Sequence, residues 1–135
     1  MSAHILPVRV YYEDTDAGGI VYHASYIRYC ERGRTEYLRA IGFENTTLRE
    51  KTGIIFVVKR LEAEYVAPAK LDDLLSAHTR VISLKNTSFI MEQKILRAER
   101  VIFSMNVVIV CVDDLGKPVR MPEMLRDVFL KEVDE

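Results

Sequence analysis

From Tyr12 to His23 the chain reads Tyr-Glu-Asp-Thr-Asp-Ala-Gly-Gly-Ile-Val-Tyr-His, with the carboxylates Glu13, Asp14 and Asp16 ahead of Gly18 and Gly19 and then the start of a helical pattern. Each part has a chemical use. A carboxylate can take a proton from water or attack a carbonyl itself. Glycines such as Gly19 let backbone approach a ligand with no Cβ in the way. A helix start offers unpaired N–H groups and the positive end of a dipole, which suits a carbonyl oxygen gaining negative charge. The same residue types also cap helices and make turns, so this spacing alone leaves both uses open.

Other chemistries find little support. The chain has no Gly-x-Ser-x-Gly elbow, no P-loop and no dinucleotide glycine fingerprint. His4, His23 and His78 lie too far apart for a local metal motif, and no Cys-x-x-Cys occurs, so neither a metal nor a cofactor is expected. Cys30 and Cys111 sit in apolar patterns and read as core thiols in a reducing compartment. The segment Lys85-Asn86-Thr87-Ser88 sets a lysine beside an amide and hydroxyls, a set that can hold a phosphate by point charge and is equally an ordinary hairpin tip. Lys59 and Arg60 could help in the same way across a dimer.

The elements that must position these residues follow from periodicity. Residues 5–12 alternate as a strand, and residues 13–19 form a polar loop. From Tyr22 the period lengthens: Tyr22, Tyr26, Cys30, Gly33, Tyr37 and Ile41 form one stripe on a long helix that Gly42 ends. Gly33 lies on the stripe, where a missing side chain would admit a close approach to a sheet. A short helical turn is expected from Asn45 or Thr47 to Thr52, stopped by Gly53. Residues 54–66, 74–84, 88–98 and 101–112 read as strands separated by turn residues, and their short connections imply antiparallel neighbours. Pro122 opens a closing helix. Nothing reads as a linker or repeat, so residues 1–135 are taken as one domain.

One striped helix followed by an antiparallel meander means a sheet wrapped around that helix, an α+β fold. Residues 107–112 and 54–58 are apolar on both strand faces, whereas a half-solvated sheet alternates. The long helix covers one face, so either the closing helix or a second copy of the chain must cover part of the sheet, and a second copy is the expectation, giving a homodimer or homotetramer. Composition sets the remaining bounds. The 19 basic residues against 20 acidic ones give no nucleic-acid footprint, and 49% hydrophobic with 29% charged residues is ordinary for a soluble globular chain. The start, MSAHILPVRV, lacks the pattern of a signal peptide, and the apolar runs are too short to span a bilayer, so a cytoplasmic protein is expected.

The stretch YYEDTDAGGIVYHASYIRYCERGRTEYLRAIG resembles the signature of the 4-hydroxybenzoyl-CoA thioesterase branch of the hotdog superfamily. It is most similar to the acyl-CoA thioesterases associated with the bacterial Tol–Pal system, and the resemblance runs on through FVVKRLEAEYVAPAKLDD and VVIVCVDDLGKPVRMP. It implies a hotdog fold, a long central helix wrapped by a five- or six-stranded antiparallel sheet. It also implies hydrolysis of acyl-CoA, or of acyl-carrier-protein thioesters, in lipid metabolism. By the resemblance Asp16 is the catalytic carboxylate, the His23 backbone N–H polarises the carbonyl, and the His23 side chain and Tyr12 are active-site members. It places Lys85, Asn86, Thr87 and Ser88 at the CoA nucleotide. Asp14 is read as loop structure and Glu31 as a solvated helix residue. The rival is a non-catalytic acyl-thioester binder or scaffold serving lipid synthesis and the cell envelope; a hotdog dehydratase would need a different arrangement of histidine and acid, which the chain lacks.

Overall fold

The computed structural model describes residues 3–134. In chain order the elements are β1 (His4–Arg9), α1 (His23–Ala40), α2 (Asn45–Thr52), β2 (Ile55–Tyr65), β3 (Leu74–Leu84), β4 (Ser88–Arg97), β5 (Arg100–Val112) and α3 (Glu123–Asp134), with a 3₁₀ turn at Tyr12–Asp14. The strands form one antiparallel sheet in the order β1-β3-β4-β5-β2.

α1 forms where the apolar stripe demands it. Tyr26, Tyr29, Cys30, Gly33, Tyr37 and Leu38 are buried, while Arg28, Glu31, Arg32 and Arg39 face solvent. The helix ends in a Schellman motif. Gly42 sits at φ 92°, its N–H reaches the Arg39 carbonyl (3.1 Å), and the Phe43 N–H reaches Leu38 (2.7 Å). α2 likewise stops at Gly53, at φ 72°.

Gly33 is where the helix touches the sheet. A Cβ there would stand 3.0 Å from Thr79 Oγ1, 3.4 Å from Gln93 Nε2 and 3.5 Å from the Ala77 Cβ. Thr79 and Gln93 are buried yet satisfied. The Gln93 amide donates to the Cys30 carbonyl (2.7 Å) and to Thr79 Oγ1 (2.9 Å), and Arg34 donates to Gln93 Oε1 (3.0 Å). This polar patch bolts α1 to β3 and β4, since leaving any member unpaired would cost about 1–3 kcal/mol.

The structure departs from the simple meander. β3, β4 and β5 are successive neighbours, but β2 pairs with β5 at the far edge rather than with β3, which follows it in sequence. Residues 66–73 therefore cross the end of the sheet. Three strand spacings are about 14 Å, well within the roughly 25 Å such a segment can span. Arg97 pins this crossing, donating to the Pro68 carbonyl (2.7 Å) and reaching Asp73 Oδ2 (3.3 Å). β1 is also shorter than its alternation suggests. Its ladder stops at Arg9, opposite Leu74, and the Tyr11 N–H turns to the Asp14 carboxylate (2.9 Å).

α3 packs on the same side of the sheet as α1. Phe129 meets Phe89 (centroids 4.8 Å apart) and Tyr37 (6.4 Å). The opposite face carries the Arg80–Glu92 pair at 2.8 Å. The two edges differ. β1 is short and carries Pro7, whereas β2 runs Ile55–Tyr65 with every residue from Val57 onward exposed. This edge strand is long and exposes Val57, Val58 and Leu61, though the bulge and charge at Lys59 and Arg60 interrupt it.

Candidate active site

The residues between β1 and α1 fold into a small hairpin. The Asp16 N–H donates to the Ile20 carbonyl (2.9 Å), the Gly19 N–H donates to the Asp16 carbonyl (3.0 Å), and Thr15 bridges Val21. Gly19 closes this three-residue loop at φ 82°, a left-handed conformation that favours glycine. A Cβ at Gly19 would meet nothing within 4 Å, so the demand there is conformational rather than steric. Asp16 Oδ1 accepts the Gly18 N–H (2.8 Å), an Asx turn that fixes the carboxylate while leaving it exposed.

The hairpin is anchored on both sides. Ile20 bridges Lys70, and the Val21 N–H reaches the Ala69 carbonyl (2.9 Å). Asp14 points inward, as its reading as loop structure requires. It is 6% exposed, its carboxylate holds the Tyr11 N–H, and its carbonyl takes both the Tyr22 N–H (2.8 Å) and the Ser25 hydroxyl (3.2 Å). The start of α1 is thus tied to the loop that carries Asp16.

That start has no side-chain cap, because Tyr22 occupies the N-cap position. As the first residue of α1, His23 has an N–H that no carbonyl of its own helix can take. The result is a cleft of about 410 Å³ lined by Asp16, Ile20, Val21, His23, Tyr26, Tyr65, Val66, Ala67 and Pro68. A carboxylate and an uncapped helix terminus share a pocket whose other walls are mostly apolar. This pairing suits addition to an activated carbonyl, with donors for the developing oxyanion.

Of the expected site residues, Asp16 and His23 meet in this cleft. The His23 imidazole is exposed and lies against the Tyr22 ring (centroids 4.4 Å apart). Tyr12 does not meet them within one chain. It is 83% exposed, because the 3₁₀ turn that buries Asp14 swings it outward. Gly19 shapes the loop without lining the cleft, whereas Gly18, which orients the carboxylate, had no assigned role. The wall residues Tyr26 and Tyr65 also went unassigned, although Tyr65 stands inside the quoted EYVAPA segment.

Lys85, Asn86, Thr87 and Ser88 form a separate groove of about 560 Å³, shared with Lys59 and Arg60. Lys59 and Arg60 join it within one chain rather than across two, because the bulge at Lys59 on β2 lies two strands from β4. Backbone bonds hold the turn: Lys85 N–H to the Ser88 carbonyl (2.8 Å), Met121 N–H to Asn86 (3.0 Å) and Cys111 N–H to Thr87 (2.8 Å). The lysine ammonium is thereby presented on a fixed base.

Both cysteines are buried. Burial pushes the Cys30 thiol up to about 12 and the Cys111 thiol up to about 11, so neither supplies a thiolate near neutral pH. Among the groups lining the cleft, the Asp16 carboxylate and the His23 imidazole are exposed.

Comparison with known proteins gives the family. The model of the thioesterase-like superfamily matches residues 10–129. The chain is 48% identical to the acyl-CoA thioesterase YbgC of Haemophilus influenzae over 91% of each chain, and 47% identical to the acyl-CoA thioester hydrolase YbgC of Escherichia coli over 88% of this chain and 90% of that one. The crystal structure of a probable thioesterase from Bartonella henselae superposes with a TM-score of 0.86 at 41% identity, covering 90% of this chain and 100% of that one. With its helix lying on a five-stranded antiparallel sheet and a carboxylate facing the helix start, the chain belongs to the thioesterase-like, hotdog superfamily.

Proposed function

We propose that the protein hydrolyses acyl-CoA thioesters to the free acid and the thiol, with Asp16 as the reacting carboxylate. The observation that carries this reading is that Asp16 and the uncapped start of α1 at His23 line one cleft. The thioester carbonyl enters with its oxygen toward the His23 N–H. Asp16 takes a proton from water as it attacks, or attacks the carbonyl carbon to form an anhydride that water then opens. Either route ends in carboxylic acid and thiol, and a thioester is activated enough to need no redox cofactor. The Asx bond from Gly18 keeps the carboxylate aimed without burying it. Relatives named for acyl-CoA thioester hydrolysis support this chemistry over the binder or scaffold.

The nucleotide end of CoA rests at the groove of Lys85, Asn86, Thr87 and Ser88, with Lys59 and Arg60 adding charge. The protein works as a homodimer or homotetramer in the cytoplasm, in lipid metabolism, and an acyl carrier protein can replace CoA as the carrier. Support for the oligomer comes from the exposed edge strand β2. Tyr12 enters the site only from a neighbouring copy. No helix among the described residues is long and apolar enough to cross a membrane.

A panel of short, aromatic and long acyl-CoAs, with released thiol as the readout, tests the reading. Turnover of at least one class is expected. Saturable binding of acyl-CoA with no hydrolysis across the panel would leave a binder and end the proposal.

A further inference from the structure

The cleft has two walls that the sequence places far apart, the start of α1 and residues 65–68. α1 lies on β1, β3 and β4, and β2 is the far edge of the sheet beyond β5. Two tyrosines close the gap. The Tyr26 hydroxyl accepts the Ala69 N–H (3.0 Å), and the Tyr65 hydroxyl donates to the His23 carbonyl (2.7 Å). Their rings meet edge to face (centroids 5.5 Å apart), and both pack on Phe103, at 5.2 Å and 4.9 Å.

We infer that Tyr65 is a positioning residue, whose hydroxyl sets the first peptide of α1 against the wall of the cleft. This rests on the reading of that cleft as the thioester site. Ring packing alone would be served by phenylalanine; the hydroxyl is the part that needs a reason. The carbonyl it reaches is that of the first helical residue, which already accepts a bond from within the helix. A second donor polarises the peptide joining His23 to Ala24 and strengthens its N–H as a donor, since hydrogen bonds in a chain reinforce one another. It also fixes where the neighbouring His23 N–H points. Burial raises the Tyr65 hydroxyl above the usual tyrosine range, so it remains a donor throughout the neutral and mildly alkaline range. Oxyanion donors act only when preset in place, and misplacement of about 1 Å can cost on the order of a hundredfold in rate. Removing one of several restraints on the peptide should cost less.

The test compares wild type with Tyr65→Phe and Tyr65→Leu, measuring kcat, KM and melting on an acyl-CoA the wild type hydrolyses. Tyr65→Phe should melt as wild type does and lose about five- to twentyfold in kcat, with KM within about twofold. Tyr65→Leu should lose both stability and rate. A folded Tyr65→Phe with kcat unchanged, while Tyr65→Leu melts early, would assign Tyr65 to packing alone and overturn the inference while the thioesterase reading stood. A wild type inert toward every acyl-CoA would remove both together.

Discussion

Changing Asp16→Asn separates chemistry from architecture, because the structure shows which of the carboxylate's duties asparagine keeps. Asp16 Oδ1 accepts the Gly18 N–H at 2.8 Å, and an asparagine carbonyl oxygen can accept the same bond in the same Asx turn. The hairpin's remaining bonds, Asp16 N–H to Ile20 and Gly19 N–H to the Asp16 carbonyl, are backbone and survive. The side chain is exposed, so the new amide is not buried without a partner. The stability change should therefore stay within about 1 kcal/mol, or about 2–5 °C in Tm for a domain of this size. The lost charge and basicity fall on the reaction instead. Kcat should drop by roughly 10² to 10⁴, which is about 2.7–5.5 kcal/mol of transition-state stabilisation. The assay is thiol release under saturating acyl-CoA, run beside a thermal melt of the same preparation. In wild type under single turnover, ¹⁸O from solvent water would appear in the Asp16 carboxylate if an anhydride forms and water opens it at the Asp16 carbonyl, and only in the product if Asp16 is the base. A folded Asp16→Asn protein, melting with wild type and turning over within about threefold of it, would refute the mechanism.

Three further outcomes follow. Gly33→Ala gains up to about 1 kcal/mol of helix propensity, but its Cβ meets Thr79 Oγ1 at 3.0 Å, a hydroxyl held by Gln93 and unable to swing away. Overpacking of about 1–3 kcal/mol should win, seen as a lower denaturant midpoint, and a stabilised variant would contradict the close-packing account. Lys85→Ala keeps the turn, whose bonds are backbone, and removes only an exposed ammonium beside Lys59 and Arg60. It should raise KM for acyl-CoA about three- to tenfold, near 1 kcal/mol, and spare a pantetheine thioester that lacks the nucleotide; equal loss on both would move Lys85 out of the nucleotide site. His78 is held below the usual histidine range by burial and then by Lys94 across the strand pair. The unfolded chain therefore binds its proton first, so this contribution to stability is full above about pH 6.5 and falls away below it as His78 is forced to charge. Melts from pH 7.5 to 5 should show a decline that His78→Gln flattens.

Much of this protein was legible in its residue order, for a local reason. A period of four and three marks one face of a helix, and alternation marks one face of a strand, so α1, α2, β3 and the closing helix emerge at nearly their true bounds. The stops at Gly42 and Gly53 are equally local, since each needs a left-handed residue. Asp16 and the start of α1 were found because seven residues of chain hold them together. Pairing across the sheet was decided only in three dimensions. Residue order says that β2 is a strand but not that it will bond to β5 instead of β3, because a strand's hydrogen-bonding groups are alike along its length and side-chain burial chooses the partner. That choice carries Tyr65 to the His23 carbonyl and brings Lys59 to Lys85 within one chain. The exposure of Tyr12 was settled the same way. Two adjacent tyrosines and a buried Asp14 compete for the inside of one short turn, and the carboxylate wins because it satisfies the Tyr11 N–H there.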